Sequence, residues 1–216
     1  MTSIETERFI LRPFETGDLD FLDALHGDEM VMRYILGRVR SPAENIAYLN
    51  NLLTLEEDHG IGHRVVIRKE DNQPVGRCGL SFFYGMEVSE EISEEFGAGN
   101  SPEDGMKNGQ MMSYVLDPNS LPSNMKTGTK AGTVVISRIF ELGYTFLQSA
   151  WGKGYASEAA AAMRHDSLHR LKIPEIHSVI HQDNMGSIAV AEKIGGRRLG
   201  ACRILGNPGW DYVSTL

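Results

Sequence analysis

The chain has 216 residues, of which 41% are hydrophobic and 23% charged, the composition of an ordinary globular protein with room for one well-packed domain. Its formal net charge of −8 excludes general nucleic-acid binding, because such binding needs clustered Lys and Arg that neutralise phosphates. No run of about 18 apolar residues is present and the first residues carry no basic and apolar leader, so we expect neither a membrane span nor a secretory signal.

The two cysteines, Cys78 and Cys202, lie in apolar, strand-like segments and lack the spacing of a metal site. We therefore expect two buried free thiols in a reducing compartment, and a cytoplasmic location. The negative charge is concentrated between Tyr84 and Asp104, which contains seven acidic residues and no Lys or Arg. Removing those seven charges leaves the rest of the chain at −1, so the acidity belongs to one segment.

The N-terminal region predicts a strand followed by a short helix. Phe9-Ile10-Leu11 is an apolar run that Pro13 closes, as is typical of a strand. Thr16-Gly17-Asp18 offers caps for the helix. The side chains that this helix is expected to bury are Phe21, Leu22 and Leu25.

A longer helix is predicted to begin at Ser41-Pro42-Ala43-Glu44. Ser41 suits the N-cap, Pro42 suits the first helical position and Glu44 completes a capping box. His59-Gly60 is the predicted end, because glycine is common just beyond a helix. The predicted inner face carries Ile46, Leu49 and Leu53.

Two strands, His63 to Lys69 and Val75 to Phe83, are predicted around a turn at Asp71-Asn72-Gln73-Pro74. The pattern then dissolves from about residue 84 to 132, with Met111 to Leu116 as the one plausible strand. A loop this long is unusual in a compact domain, so we interpret 84–132 as an irregular acidic insertion. It either borders a site or is a solvated surface excursion.

The C-terminal part alternates strands and helices. Together with the first half this predicts a single α+β (mixed α/β) domain over residues 1–216. The predicted segments are a strand at Thr133–Leu147, a helix from near Gly154 to Leu171, a strand at Ile176–His181, a helix at Ser187–Ile194, and a hairpin of Leu199–Leu205 with Trp210–Thr215.

The most informative stretch joins the predicted strand to the helix that follows: Trp151-Gly152-Lys153-Gly154-Tyr155-Ala156-Ser157-Glu158-Ala159. Glycines let the backbone approach a ligand closely, and the helix N-terminus behind them presents free N–H groups that suit a phosphate or pyrophosphate. A P-loop is excluded because Gly154, not Ser or Thr, follows Lys153, and a dinucleotide fingerprint is excluded because Ser157 replaces its third glycine. An ordinary glycine-containing turn before an alanine-rich helix is the alternative.

Three segments resemble the GNAT superfamily of acyl-CoA N-acyltransferases, in the branch of ribosomal-protein N-terminal acetyltransferases. The first is Thr6 to Pro13, similar to the opening strand of that branch. The second is Glu141-Leu142-Gly143-Tyr144 with the loop at 151–159, similar to its central strand and acetyl-CoA loop. The third is Asn184, Ser187, Glu192-Lys193 and Gly195, which match Asn-x-x-Ser-x-x-x-x-Glu-Lys-x-Gly. Together they span nearly the whole chain outside the insertion.

The resemblance implies a fold and a cofactor. The fold would be a central mixed, mostly antiparallel sheet of six or seven strands flanked by helices, splayed between the fourth and fifth core strands. Acetyl-CoA would be the co-substrate, with its pyrophosphate on the loop, its pantetheine arm along the central strand, and its reactive end near the Asn-x-x-Ser motif. The implied contact residues are Tyr144, Thr145, Phe146, Trp151, Gly152, Lys153, Gly154, Tyr155, Ala156, Ser157, Asn184, Ser187 and Lys193.

The resemblance also implies direct attack of a primary amine on the acetyl carbonyl. Glu141, ten residues before Trp151, is the candidate base, although it could instead pair with Arg138. A backbone N–H near Phe146 would polarise the carbonyl, and Ser187 would assist the departing thiolate unless it merely caps a helix.

Other candidate groups are weaker. His177 and His181 are less favoured as bases. His165 and His169 lie one helical turn apart but lack a third ligand, so no metal is expected.

The chain departs from the family pattern at two positions. Ala191 stands where many relatives carry a tyrosine general acid, and Gly196 replaces an aromatic residue. The leading hypothesis is therefore an acetyl-CoA-dependent N-acetyltransferase acting on a protein N-terminus or a small cationic amine, as a monomer or homodimer. A non-catalytic acyl-CoA-binding sensor module and a different acyl donor are the alternatives.

Overall fold

The computed structural model describes residues 3–89, 110–115 and 136–216. The chain divides into two compact units, the first formed by Met1–Ser81, Leu142–Pro174 and Leu216, the second by Phe82–Glu141 and Glu175–Thr215. Most of the predicted insertion at 84–132 lies outside the described residues, so its role stays a prediction. Among the described residues, no helix has the length and apolarity needed to cross a membrane.

The first unit contains an antiparallel sheet in the order β1-β2-β3-β4. Pro13 is the last residue of β2, as predicted. The strands are β1 (Ile4–Glu5), β2 (Phe9–Pro13), β3 (His63–Arg68), the first part of β4 (Gln73–Ser89) and the last part of β6 (Ile136–Phe146). The helices are α1 (Leu19–His26), α2 (Glu29–Met32), α3 (Pro42–His59) and α4 (Tyr155–His169).

The ends of α3 confirm the sequence prediction. Ser41 Oγ accepts a hydrogen bond from the Glu44 N–H at 3.3 Å, and Glu44 Oε2 accepts one from the Ser41 N–H at 2.8 Å. Gly60 adopts the left-handed conformation at the C-cap, with φ of 65°. Local hydrogen bonding therefore fixes both boundaries of this helix.

The inner face of α3 differs from the predicted stripe. Leu49 and Leu52 are buried in a core with residues of α1 and β3, whereas Ile46 is 48% exposed. Asn45, one residue before Ile46, is buried instead, and it accepts a hydrogen bond from His26 Nδ1. A buried polar network therefore rotates the inward face of the helix.

The second unit contains a mixed, mostly antiparallel sheet in the order β4-β5-β8-β9-β7-β6. The pair β5–β8 and the pair β6–β7 are parallel, and the others are antiparallel. The parallel pairing of β6 with β7 has one register position, Glu141 opposite His177. The additional elements are β5 (Gln110–Val115), β7 (Glu175–His181), α5 (Met185–Lys193), β8 (Arg197–Ile204) and β9 (Asn207–Thr215).

The predicted element order is confirmed, and β5 coincides with the strand predicted at 111–116. The structure adds β1 and α2, which carry no strong periodicity because they have two and four residues. Both cysteines are buried free thiols, as expected. The fold thus places the predicted phosphate loop between β6 and α4.

Candidate active site

The glycine loop has the backbone conformation that requires its glycines. Gly152 and Gly154 both have φ of 72°, in the left-handed region where a Cβ atom is unfavourable. Gly154 is also the N-cap of α4 and has no side chain that could cap the helix. The spacing of the two glycines therefore reflects a backbone path that leaves the N-terminus of α4 without a side-chain cap.

The first turn of α4 presents uncapped donors. The backbone hydrogen bond that closes the turn runs from the Glu158 N–H to the Gly154 carbonyl at 3.2 Å. Within the described residues, none of the hydrogen bonds that close this turn uses the N–H groups of Tyr155, Ala156 or Ser157. Such a group of N–H donors, reinforced by the helix dipole, is suited to a phosphate.

A set of contacts from the start of β2, which we call the β2 clasp, holds the loop in place. Glu158 Oε1 accepts hydrogen bonds from Thr6 Oγ1 at 2.6 Å and from the Arg8 N–H at 2.9 Å. Arg8 Nε donates to Glu158 Oε2 at 2.6 Å, and Arg8 Nη1 donates to the Lys153 carbonyl at 2.9 Å. The clasp therefore ties the Glu158 carboxylate and the Lys153 carbonyl to the chain before β2, and its hydrogen bonds do not use the N–H groups of the first turn of α4.

Aromatic stacking adds to the β2 clasp. The Arg8 guanidinium lies 4.8 Å from the centroid of the Tyr155 ring, and Phe9 packs edge-on against the same ring at 4.9 Å. Sequence reasoning listed Thr6, Arg8 and Glu158 as parts of two motifs but assigned them no role. The signal in the sequence was charge, because the first motif contains the cation Arg8 and the second contains the anion Glu158.

The end of β6, where the cofactor arm is predicted to lie, is well fixed. Thr145 and Phe146 are buried and Tyr144 is half-buried. Trp151 Nε1 donates to the Phe146 carbonyl at 2.8 Å, which ties the loop to the strand while leaving the indole 46% exposed. Gly76 in β4 faces Phe146 so closely that an added Cβ would lie 2.5 Å from the Phe146 ring.

Glu141, the candidate base, lies in the second unit. It is 8% exposed and stands opposite His177 in the parallel pairing of β6 with β7. Arg138, the alternative ion-pair partner considered above, has its guanidinium 4.3 Å from the centroid of the Phe82 ring. The structure does not test the catalytic role of Glu141, which stays a prediction.

His177 has both ring nitrogens engaged by carboxylates. Its Nδ1 lies 2.9 Å from Asp211 Oδ1, and its Nε2 lies 3.0 Å from Glu175 Oε1. Burial lowers the pKa of His177, but the hydrogen bonds and charges of Asp211 and Glu175 outweigh burial, so the pKa lies above its ordinary value. A histidine with a carboxylate oxygen at each ring nitrogen must break one of these contacts before it can act as a base.

Asn184 and Ser187 take distinct places at the start of α5. Asn184 is the N-cap, and its Oδ1 accepts a hydrogen bond from the Ser187 N–H at 3.2 Å. The N-cap residue of α5 is thus Asn184, and Ser187 is a half-buried residue of the first turn. Lys193 is the last residue of α5 and is exposed.

The two departures from the family pattern have structural counterparts in the second unit. Ala191 is buried beside Ile188 and Tyr212. A Cβ at Gly196 would lie 2.8 Å from the Ala191 carbonyl oxygen, so the backbone approach requires glycine there. The Tyr212 hydroxyl donates to Glu192 Oε1 at 3.1 Å, which gives the motif glutamate a structural partner.

The remaining candidate residues do not assemble a metal site in the part of the chain that the structure describes. That part contains no group of three or more His, Cys, Asp or Glu side chains placed to hold an ion. His165 and His169 stack on the exposed face of α4, with ring centroids 4.1 Å apart. His181 Nδ1 accepts a hydrogen bond from the Asp183 N–H at 3.1 Å.

Comparisons with known proteins bear on this arrangement. The family model described as "Acetyltransferase (GNAT) domain" matches residues 8–103 and 109–197. "Uncharacterized N-acetyltransferase YnaD" of Bacillus subtilis (strain 168) is 36% identical over 75 residues, which are 33% of this chain and 44% of that protein. The aligned regions span less than half the length of the curated relatives that the chain matches.

Solved structures share the fold. An acetyltransferase (GNAT family) from Bacillus anthracis superposes with a TM-score of 0.62 at 24% identity, over 99% of this chain and 98% of that chain. RimL, described as a ribosomal L7/L12 alpha-N-protein acetyltransferase in complex with coenzyme A, has a TM-score of 0.64 at 14% identity, over 100% of this chain and 98% of that chain. The predicted fold class is confirmed by these likenesses.

Proposed function

This chain belongs to the acetyltransferase (GNAT) family, and we propose that it transfers an acetyl group from acetyl-CoA to a primary amine. The predicted family and the N-acetyltransferase class are confirmed at the level of the family. The acceptor that we propose is a protein N-terminus or a small cationic amine. The observation that carries the proposal is the open helix N-terminus at Gly154, held by the β2 clasp.

The loop provides the features that a coenzyme A diphosphate needs. Two left-handed glycines give close backbone approach, and the N–H groups of residues 152–156 would bind the phosphate oxygens. Lys153 is exposed and adds a positive charge beside them. The edge of β6 from Tyr144 to Phe146 would bind the pantetheine arm through backbone hydrogen bonds, as an added strand does.

The chemistry follows from the needs of amine acetylation. A primary amine is protonated at neutral pH, so Glu141 would remove its proton, directly or through water. Acetyl-CoA supplies the thioester carbonyl that the amine attacks. The Phe146 N–H would stabilise the oxyanion, and the Ser187 hydroxyl would donate a hydrogen bond to the departing thiolate.

The first test is calorimetric titration with acetyl-CoA of the wild type and of Gly154→Glu. The substitution places a carboxylate and a strained backbone where the diphosphate would bind, so we expect micromolar binding by the wild type and loss of it in the variant. Gly37→Glu is the matched control, because Gly37 is also a left-handed, exposed glycine with φ of 69° and open space around its Cα. It should bind acetyl-CoA as the wild type does.

Turnover is then measured as thiol release with a panel of primary amines. Release that depends on the amine supports the transferase. Binding of acetyl-CoA without release for any amine would favour the sensor module instead. If the wild type does not bind acetyl-CoA, the assignment of the glycine loop as the coenzyme A site is wrong.

A further inference from the structure

Two arginines of the first unit, Arg40 and Arg77, surround one aromatic ring. The Arg40 guanidinium lies 4.7 Å from the centroid of the Tyr48 ring, and that of Arg77 lies 5.2 Å from it. Arg77 is buried on β4, and Arg40 is half-buried before α3. Like charges this close, and partly withdrawn from water, are unfavourable unless an anion compensates them.

The hydrogen bonds that Arg77 makes to described residues go to neutral groups. Arg77 Nε donates to His26 Nε2 at 3.2 Å, and Arg77 Nη1 donates to His63 Nδ1. Burial and the charge of Arg77 together lower the pKa of His26 to about 3. Burial and Arg77 also depress the pKa of His63, so both imidazoles act as uncharged acceptors.

The nearest acid in this network is separated from Arg77 by two side chains. His26 Nδ1 donates to Asn45 Oδ1 at 2.8 Å, and Asn45 Nδ2 donates to Asp23 Oδ1 at 2.6 Å. The Asp23 carboxylate therefore accepts its hydrogen bond in this network from the Asn45 amide. It does not neutralise Arg77 directly.

Arg40 has still fewer partners. Its buried Nε makes no hydrogen bond, and in the described ranges its guanidinium forms no ion pair with a carboxylate. Burial lowers the pKa of Arg40, and Arg77 lowers it further, while Tyr48 and Glu44 act in the opposite direction. By contrast, the described ion pairs engage Arg8, Arg12, Arg38, Arg64, Arg68 and Arg170.

The position of this pair connects it to the proposed reaction. Arg77 follows Gly76, whose Cα side lies against the Thr145 carbonyl and the Phe146 ring. Those two residues belong to the segment of β6 proposed to carry the pantetheine arm. Arg77 is therefore on the strand that pairs with the proposed acetyl-donor strand, and Arg40 lies just before α3.

We infer that Arg40 and Arg77 bind a carboxylate of the acceptor, so that the acceptor is a primary amine that also carries a carboxylate, as amino acids do. Guanidinium groups recognise the two oxygens of a carboxylate in a planar, paired geometry. This inference rests on the proposed function. It narrows the proposed acceptor from any small cationic amine to one that also carries a carboxylate.

The test compares amino acids with their amides as acceptors, using acetyl-CoA and thiol release. The amide carries a neutral group in place of the carboxylate. Its amine is also less basic, so a larger fraction is deprotonated at neutral pH, and without a carboxylate site the amide should be the better acceptor. We expect the acid to have a kcat/KM at least about tenfold higher than the amide, the scale of one charged hydrogen bond. In Arg40→Gln this preference should disappear through a higher KM for the acid, with the amide unchanged.

Arg38→Gln is the matched control, because Arg38 is two residues away, carries the same charge and is paired with Glu44 on the surface. It should keep the wild-type preference. Arg40→Gln removes no side-chain hydrogen bond to a residue that the structure describes, so it should fold, which circular dichroism checks. Equal turnover of acids and amides, or a preference that survives Arg40→Gln, would overturn the inference and leave the proposed function standing.

A second readout separates the two failures. If no amine is acetylated although acetyl-CoA binds, the proposed function fails. The carboxylate site is then tested separately, by the effect of ligands on the Tm of thermal unfolding. N-acetyl amino acids should raise the Tm of the wild type but not of Arg40→Gln, and N-acetyl amino-acid amides should raise neither. No shift in the wild type would overturn the site as well.

Discussion

Both ring nitrogens of His177 contact carboxylates, and this narrows the choice of a catalytic base. Because Asp211 and Glu175 each take one ring nitrogen, His177 would have to break a hydrogen bond before accepting a proton. Glu141 stands opposite it in the sheet and is buried, and a carboxylate in such surroundings can accept a proton from an amine. The residue-level evidence therefore favours Glu141 over His177.

We predict that Glu141→Gln lowers kcat by roughly 100- to 10,000-fold at neutral pH, with the Kd for acetyl-CoA unchanged. Glutamine keeps the size of the side chain and one acceptor oxygen but cannot take a proton. The deficit should shrink as the pH rises, because the free amine then forms without a base. Steady-state kinetics and calorimetry across a pH series check both parts.

Glu175→Gln serves as the control for Glu141→Gln. Glu175 is a carboxylate on β7 that contacts His177 and is mostly exposed. Its amide should retain kcat within a factor of about two, as expected of a surface substitution. A Glu141→Gln enzyme that keeps most of the wild-type kcat would remove Glu141 from the mechanism.

The β2 clasp is the contact between elements on which the phosphate loop depends. Glu158 is partly buried and accepts from Thr6 and from Arg8, and although burial raises its pKa, these hydrogen bonds outweigh burial and lower it. We predict that Glu158→Gln lowers the free energy of unfolding by about 1–3 kcal/mol, since it weakens bonds to a charged group. The Kd for acetyl-CoA should rise several-fold, because the loop loses its fixed orientation.

Asp166→Asn is the matched variant for Glu158→Gln. Asp166 lies on the same helix and pairs within it with the more exposed Arg170, at a spacing of four residues. Its loss should cost only about 0.5 kcal/mol and leave acetyl-CoA binding intact. Urea unfolding and calorimetry are the measurements, and equal effects of the two substitutions would argue against a specific role of the clasp.

The clasp also shows where sequence-based prediction ends. The boundaries of α3 and the glycine loop were predictable because their signals lie within a few neighbouring residues. Arg8 and Glu158 lie 150 residues apart, so their contact exists only in the folded chain. The exposure of Ile46 was likewise set by Asn45, whose burial depends on His26 in another helix.

At the scale of the whole molecule, the pKa values of buried histidines are shifted in opposite directions in the two units. In the first unit, His26 and His63 are neutral acceptors of Arg77, with pKa values below the ordinary one. In the second unit, the carboxylates of Asp211 and Glu175 raise the pKa of His177 above the ordinary value. The pH dependence of stability should therefore have opposite signs in the two units.

For the first unit, the histidines contribute stability above the unfolded-state pKa of about 6.5, and this is lost progressively as the pH falls towards their folded-state pKa values. Each should lower the free energy of unfolding by up to roughly 1.4 kcal/mol per pH unit. For the second unit, the contribution of His177 is complete below about pH 6.5 and is lost as the pH rises through its folded-state pKa. Stability is thus expected to fall in the first unit on acidification and in the second on alkalinisation.

Hydrogen exchange measured peptide by peptide at about pH 5, 6.5 and 8.5, corrected for intrinsic exchange rates, separates the two units. We expect protection of β3 and α1 to decrease between about pH 6.5 and 5, and protection of β7 and β9 to decrease between about pH 6.5 and 8.5. His177→Gln should abolish the alkaline decrease, whereas His165→Gln, at an exposed ring on α4, should leave both unchanged. First-unit protection that stays constant on acidification would mean that Arg77 does not hold His26 and His63 neutral, because a protonated imidazole cannot accept its hydrogen bonds.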